Sequence, residues 1–189
     1  MTDASRPLRI LGISGSLRAR SFNTAALRAA GSMLPDGCAF EIAPIGDLPL
    51  YDQDLMDREG MPGPAARLRA QIAAADALIL ACPEYNYSVT AALKNAIDWA
   101  SRGPDQPLNG KPVAILGASG GMIGTARAQY HLRQICVFVN MHPINKPEVM
   151  IGQAPTKFDA DLTLTDEPTR KIVGDMVQAL VAWTRRLSP

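Results

Sequence analysis

Three short stretches of this chain gather side chains able to hold a phosphorylated, planar ligand. The first is Gly12-Ile13-Ser14-Gly15-Ser16-Leu17-Arg18-Ala19-Arg20-Ser21-Phe22-Asn23, which follows an apolar run and leads into a helical pattern. Gly15 lets the backbone approach a ligand closely. Ser16, Ser21 and Asn23 carry short polar groups, and Arg18 carries a planar fork matched to phosphate oxygens. A helix beginning near Asn23 would aim its free N–H groups at the same point. These features make a phosphate cradle, although Ser21 or Asn23 could equally be a plain helix cap. The spacing fits neither a Walker A loop, since no Gly-Lys-Ser/Thr follows, nor the dinucleotide pattern G-x-G-x-x-G.

The second stretch, Pro83-Glu84-Tyr85-Asn86-Tyr87-Ser88, sets two aromatic rings beside an amide and a carboxylate. Such a loop can present a flat apolar surface next to hydrogen-bonding groups, which suits a heteroaromatic ring. Local packing of Tyr85 and Tyr87 with Ser88 as a cap accounts for it as well. The third, Gly117-Ala118-Ser119-Gly120-Gly121-Met122-Ile123-Gly124, offers backbone amides with few side chains in the way. It reads either as a contact to the polar edge of a ring or as a flexible glycine loop.

The elements that must position these loops are legible as short apolar runs between turn residues. Strands are predicted at 8–13, 39–45, 77–82 and 112–118, with a weaker fifth at 148–151. The first, third and fourth are apolar on both faces, as in a parallel sheet covered by helices on both sides. Helical periodicity predicts helices over 23–34, 64–75, 90–101, 123–139 and 167–187, the last capped by Thr165 or Asp166. Alternating strands and helices make an α/β doubly wound sheet, and the flavodoxin-like order 2-1-3-4-5 is a common solution. In such sheets ligands sit beyond the carboxyl ends of the strands, and all three loops fall there. No internal repeat or linker is visible, so residues 1–189 read as one domain.

Composition narrows the function further. The chain has 19 basic and 18 acidic residues, a net charge of +1, which argues against a nucleic-acid partner. Aromatic residues are 5% of the chain, too few for a base-stacking platform. Cys38, Cys82 and Cys136 are far apart, which argues against a disulfide framework or a zinc site and suggests inert packing. His131 and His142 lack the closely spaced carboxylates or thiolates a metal would need. No signal peptide or membrane-spanning run is seen, so a soluble cytoplasmic protein with no membrane partner is expected. Trp99 and Trp183 fall on amphipathic helices, as core or interface residues.

Taken together, Gly15-Ser16-Leu17-Arg18 with Ser21-Phe22-Asn23, then Pro83-Glu84-Tyr85-Asn86-Tyr87-Ser88, then Leu93-Lys94-Asn95-Ala96-Ile97-Asp98-Trp99 resemble the NADPH-dependent FMN reductase family. Ala126-Arg127, the stretch Gln129-Tyr130-His131-Leu132-Arg133-Gln134 and Asn145-Lys146-Pro147-Glu148 resemble its quinone/chromate/ferric reductase branch. The similarity runs from about residue 8 to 151 and fades afterwards. It implies a flavodoxin-like fold, non-covalently bound FMN, and NADPH or NADH as co-substrate. Carried over by residue, Ser16, Arg18, Ser21, Phe22 and Asn23 would hold the FMN phosphate. Pro83, Glu84, Tyr85 and Asn86 would line the isoalloxazine, and Ser119 and Gly120 would meet its polar edge. Thr90 departs from the family, which often has proline there; little consequence is expected.

The resemblance implies hydride transfer from NAD(P)H to FMN and then, by a ping-pong mechanism, to small-molecule acceptors. These are quinones, ferric chelates, chromate, azo compounds or free flavin, and no protein acid or base is required. A flavodoxin-like electron carrier without nicotinamide turnover is the alternative. Arg102, at a predicted helix end, is favoured there by the helix dipole. In an oligomer it could instead reach a neighbouring flavin and attract anionic acceptors. Outward placement of Trp99 and surplus apolar residues on the helix 123–139, Tyr130, Val137 and Phe138 among them, predict a homodimer or homotetramer.

Overall fold

The computed structural model describes residues 6–188. In chain order it runs β1 (Leu8–Ser14), α1 (Phe22–Ser32), β2 (Cys38–Ala43), α2 (Gln53–Glu59), α3 (Gly63–Ala74), β3 (Ala77–Ala81), β4 (Glu84–Tyr85) and β5 (Ser88–Val89). There follow α4 (Ala91–Ala100), β6 (Pro112–Ala118), α5 (Ala126–Phe138), β7 (His142–Pro143), β8 (Val149–Ile151), a 3-10 turn at Ala154–Thr156 and α6 (Glu167–Leu187). The parallel order β2-β1-β3-β6 continues to a fifth position beside β6. That is the expected flavodoxin-like winding.

The fifth position differs from expectation in being divided. β7 pairs with Pro112 and Val113, whereas β8 pairs with Leu116, Gly117 and Ala118. Ile144 N still donates to Val113 O at 2.9 Å, and residues 145–148 leave the ladder between the two strands. Pro147 lies in this gap and has no N–H to give to a neighbour.

Period-two alternation explains why β3 and β6 are apolar throughout. Ala77, Ile79 and Ala81, with Ala114, Leu116 and Ala118, face α1 and α6. Leu78, Leu80 and Cys82, with Val113 and Ile115, face α3, α4 and α5. Small residues on the first face let Leu27, Val177 and Leu180 pack close to the sheet. Asp166 caps α6 as predicted, its Oδ2 accepting from Thr169 N at 3.0 Å.

Several local features depart from the sequence reading. α2 was not foreseen; none of its residues is buried, so it carries no apolar stripe for periodicity to detect. The segment 84–89 is an antiparallel hairpin rather than an irregular loop. α5 begins at Ala126, three residues later than predicted, because 119–125 is loop. Trp99 does not project outward: it is fully buried, and its Nε1 donates to the Pro49 carbonyl at 2.8 Å. Asn95 holds the same loop by accepting from Tyr51 N and donating to Pro49 O, both at 2.8 Å. The Tyr51 ring meets Trp99 edge-on, with centroids 4.9 Å apart. The crossover after β2 therefore covers a helix face that looked unpartnered in isolation.

Thr90, expected to matter little, is a junction. Its buried hydroxyl donates to Gly15 O at 2.7 Å and accepts from Leu93 N at 3.4 Å, capping α4. Gly15 has no room for a side chain: a Cβ would lie 2.8 Å from Pro83 Cδ and 2.9 Å from Leu93 Cβ. Proline at position 90 could supply neither hydrogen bond. Thr90→Val should therefore destabilise the protein by about 1–3 kcal/mol, through a lost cap and a buried carbonyl without its donor. Urea unfolding measures this, and a change below about 0.5 kcal/mol would show that the junction is dispensable.

Candidate functional site

The carboxyl ends of β1, β3 and β6 bring the three loops together. In the first, Gly15 N donates to Ala81 O at 2.8 Å, fixing the loop to the neighbouring strand. Ser14 Oγ and Thr24 Oγ1 are 2.8 Å apart, and Ser14 Oγ also accepts from Ser16 N at 3.3 Å. Ser21 is the N-cap of α1 and accepts from Thr24 N at 3.3 Å. The Phe22 and Asn23 amides still point out of the first turn, where no helical acceptor exists. Arg18 is exposed, and among the described residues its guanidinium has no hydrogen-bond or ionic partner. Ser21 is thus the helix cap that the sequence offered as one alternative.

Asn23 serves a different purpose from Arg18. Its Nδ2 donates to Ala118 O at 2.8 Å, and its Oδ1 accepts from Ala118 N at 2.9 Å. The amide thus joins the start of α1 to the end of β6, 95 residues away. Phe22 stacks against Phe158 with centroids 5.3 Å apart, and Arg20 donates to Ala160 O at 2.7 Å. These contacts draw the 152–165 segment against the first loop, a role that sequence reasoning missed because recognisable similarity ends near Ile151.

In the hairpin, Asn86 and Tyr87 occupy the two turn positions with φ of 51° and 67°. Left-handed backbone at both positions suits a primed hairpin turn. It is uncommon for tyrosine, and such strain concentrates at ligand clamps. Tyr85 and Tyr87 are both exposed. Pro83 is buried beside Gly15. Glu84 borders the open space between the loops, but its carboxylate is engaged by the protein: its side chain is 7% exposed and ion-pairs with Arg127 at 2.6 Å. The Arg127 guanidinium lies 3.5 Å over the Tyr87 ring.

The third loop is braced rather than flexible. Ser119 Oγ donates to Gly124 O at 2.6 Å, and Ser119 N donates to Ile151 O at 3.0 Å. Ala154 N and Gln153 N donate to Ser119 O and Gly121 O, each at 2.9 Å. Gly152 lies so close that a Cβ would come 2.2 Å from Met122 O. This glycine just past the last recognised strand was the signal that could have revealed the brace. Gly120 remains exposed, with open space around it.

Between hairpin and third loop lies a cavity of about 360 Å³, lined by Glu84, Asn86, Tyr87, Ser119, Gly121 and Arg127 among others. Arg102 is not part of it. Arg102 sits beyond the C-terminal end of α4, roughly 15 Å along the helix from the hairpin. There its Nε donates to Asp98 O and its terminal nitrogen to Ser101 Oγ, each at 3.0 Å. It does line a separate groove of about 600 Å³ between α4 and α5. Burial pushes the Cys82 and Cys136 thiols up to about 12, so both stay protonated and inert at neutral pH.

The arrangement suits FMN in two respects. Arg18, whose guanidinium has no partner among the described residues, and the first amides of α1 stand at one end. A narrow space with a ring on one wall and bare backbone on the other stands at the second.

Comparison with known proteins agrees. The family model described as NADPH-dependent FMN reductase matches residues 8–156. An NAD(P)H-dependent FMN reductase of Pseudomonas aeruginosa is 55% identical over 183 residues, spanning 97% of this chain and 98% of its own. A quinone reductase of Escherichia coli is 49% identical over 156 residues, or 82% of this chain and 83% of its own. The solved flavoenzyme NAD(P)H:(acceptor) oxidoreductase FerB of Paracoccus denitrificans superposes with a TM-score of 0.85 at 35% identity, covering 95% and 98% of the two chains. The chain belongs to the NADPH-dependent FMN reductase family and is an FMN-dependent oxidoreductase that draws on NAD(P)H.

Proposed function

We propose that this protein is a cytoplasmic reductase of small acceptors, built as one flavin-binding domain over residues 1–189. Quinones are the principal acceptors in this reading; ferric chelates, chromate, azo compounds and free flavin are further ones. The observation that carries it is the convergence, at one sheet edge, of Arg18, unpartnered among the described residues, with a cavity of about 360 Å³ beside Tyr87. When bound there, FMN supplies the hydride relay between NAD(P)H and acceptor.

The chain's own residues bind and orient. Arg18, Ser16, Ser21 and the amides of Phe22 and Asn23 take the phosphate. Pro83, Tyr85, Asn86 and Gly120 meet the ring. The side chains of Asn23 and Ser119 hold the loops, since their polar atoms are engaged by backbone. The open side of the cavity is a single space, so nicotinamide and acceptor must take turns in it, which predicts ping-pong kinetics. Free flavin-loaded protein should be yellow, and steady-state NADPH oxidation should depend on an added quinone.

A homodimer or homotetramer completes this reading. On α5, Val137 and Phe138 are 80% and 85% exposed and Tyr130 is 53% exposed. Phe138 lines the groove that holds Arg102, and Tyr130 and Val137 recur at helical spacing outside that lining. A second copy is the proposed occupant, and within such an assembly Arg102 would stand at the boundary and favour anionic acceptors.

Two measurements test these assignments. Arg18→Ala should weaken FMN binding by about one to two decades, the value of a charge-assisted hydrogen bond. Fluorescence titration reads this, and unchanged affinity would remove the phosphate assignment. Replacing Val137 and Phe138 by glutamate should reduce the mass seen by light scattering to that of one 20.2 kDa chain. A parent protein already at that mass with full activity would end the oligomer proposal.

A further inference from the structure

Glu84 is more deeply committed than any other side chain at the site. Its Oε2 accepts from two backbone amides, Arg127 N at 3.0 Å and Ala128 N at 3.2 Å. Its Oε1 accepts from Arg127 Nε at 2.6 Å. The two amides belong to the first turn of α5, where unpaired N–H groups need an external acceptor. Thr125, at the N-cap position, does not provide one. Its Oγ1 accepts instead from Gln129 Nε2 at 3.0 Å. A carboxylate from the hairpin therefore caps a helix some forty residues further along the chain, at the positive end of the helix dipole.

The consequence reaches the cavity through Arg127. Paired to Glu84, the guanidinium is held flat, 3.5 Å above the Tyr87 ring. Tyr87 is the residue with the unfavourable φ of 67°. A second bond, Ser88 Oγ to His131 Nδ1 at 3.1 Å, ties the other arm of the hairpin to α5. The hairpin forms one wall of the cavity, and the loop leading into α5 forms the other. Glu84 thus joins the two walls, with Ser88 and His131 as a second tie.

The geometry points to Glu84 as a positioning residue that sets the width of the ring end of the site before any ligand arrives. It acts through Arg127 and Tyr87, without presenting its carboxylate to the ligand. The inference rests on the FMN reading above and assigns control of ring recognition to a separate group from control of phosphate recognition.

The two ends can be separated with riboflavin, which has the ring but no phosphate. Flavin-stripped full-length protein would be titrated with FMN and with riboflavin, and melting followed in parallel. Glu84→Ala should weaken both ligands by a similar factor, about tenfold or more. Glu84→Gln keeps an oxygen for the two amides but sets an N–H group against Arg127 Nε, so it should weaken both flavins together and by less than Glu84→Ala does. Arg18→Ala should weaken FMN alone. A Glu84→Ala protein that melts earlier yet binds both flavins as the parent does would overturn the inference, leaving Glu84 a stability element. If Glu84→Ala does not fold, Arg127→Met takes its place, since it leaves the amide bonds and removes the stack on Tyr87. Unchanged binding of both flavins by that variant would overturn the inference equally. If Arg18→Ala weakens riboflavin as much as FMN, the phosphate assignment fails while the clamp stands; if the parent binds neither flavin, both fall.

Discussion

Strands that end together in a parallel sheet leave backbone donors and acceptors at one buried edge, and each must find a partner. In this protein the partners come from the neighbouring loops. Ala118 at the end of β6 is satisfied by the Asn23 amide, Gly15 O after β1 by Thr90, and the first turn of α5 by Glu84. No loop at this edge is closed by its own residues alone. The site is a mutual capping arrangement, and its rigidity follows from the cost of leaving any one of those groups unpaired.

That arrangement explains why motif residues divide into two kinds. Asn23, Glu84 and Ser119 look like ligand contacts in the sequence because they are polar and lie in the right loops. Their polar atoms turn out to be engaged by backbone and, for one Glu84 oxygen, by the Arg127 guanidinium. Arg18 looks similar on paper, yet its guanidinium is exposed and has no partner among the described residues. A charged fork that the fold does not use, beside a helix start with free amides, is the stronger pointer to an anion.

The main strands were legible because each is apolar on both faces and bounded by turn residues, and the α6 cap because Asp166 stands before Pro168. The layered order and the location of the site followed from those runs. What escaped has a common cause. α2 has no buried face, the 84–89 hairpin has only two residues per strand, and the fifth strand position is interrupted at 145–148. None of these offers a period long enough to detect. The partners of Asn23, Thr90 and Glu84 lie 95, 75 and 43 residues away, and local pattern holds no record of such pairings. Trp99 illustrates the same limit, since only the crossover loop bearing Pro49 and Tyr51 reveals that it is covered.

α5 links recognition inside the site to the surface outside it. Its first turn is held by Glu84 and places Arg127 over Tyr87, while its later turns expose Tyr130, Val137 and Phe138. An α-helix moves as a stiff rod, so a load on its outer face is felt at its start. His131, between the two regions, already bonds the hairpin through Ser88. One helix therefore fixes the hairpin at two places, its first turn and His131, and carries the exposed apolar residues on its later turns.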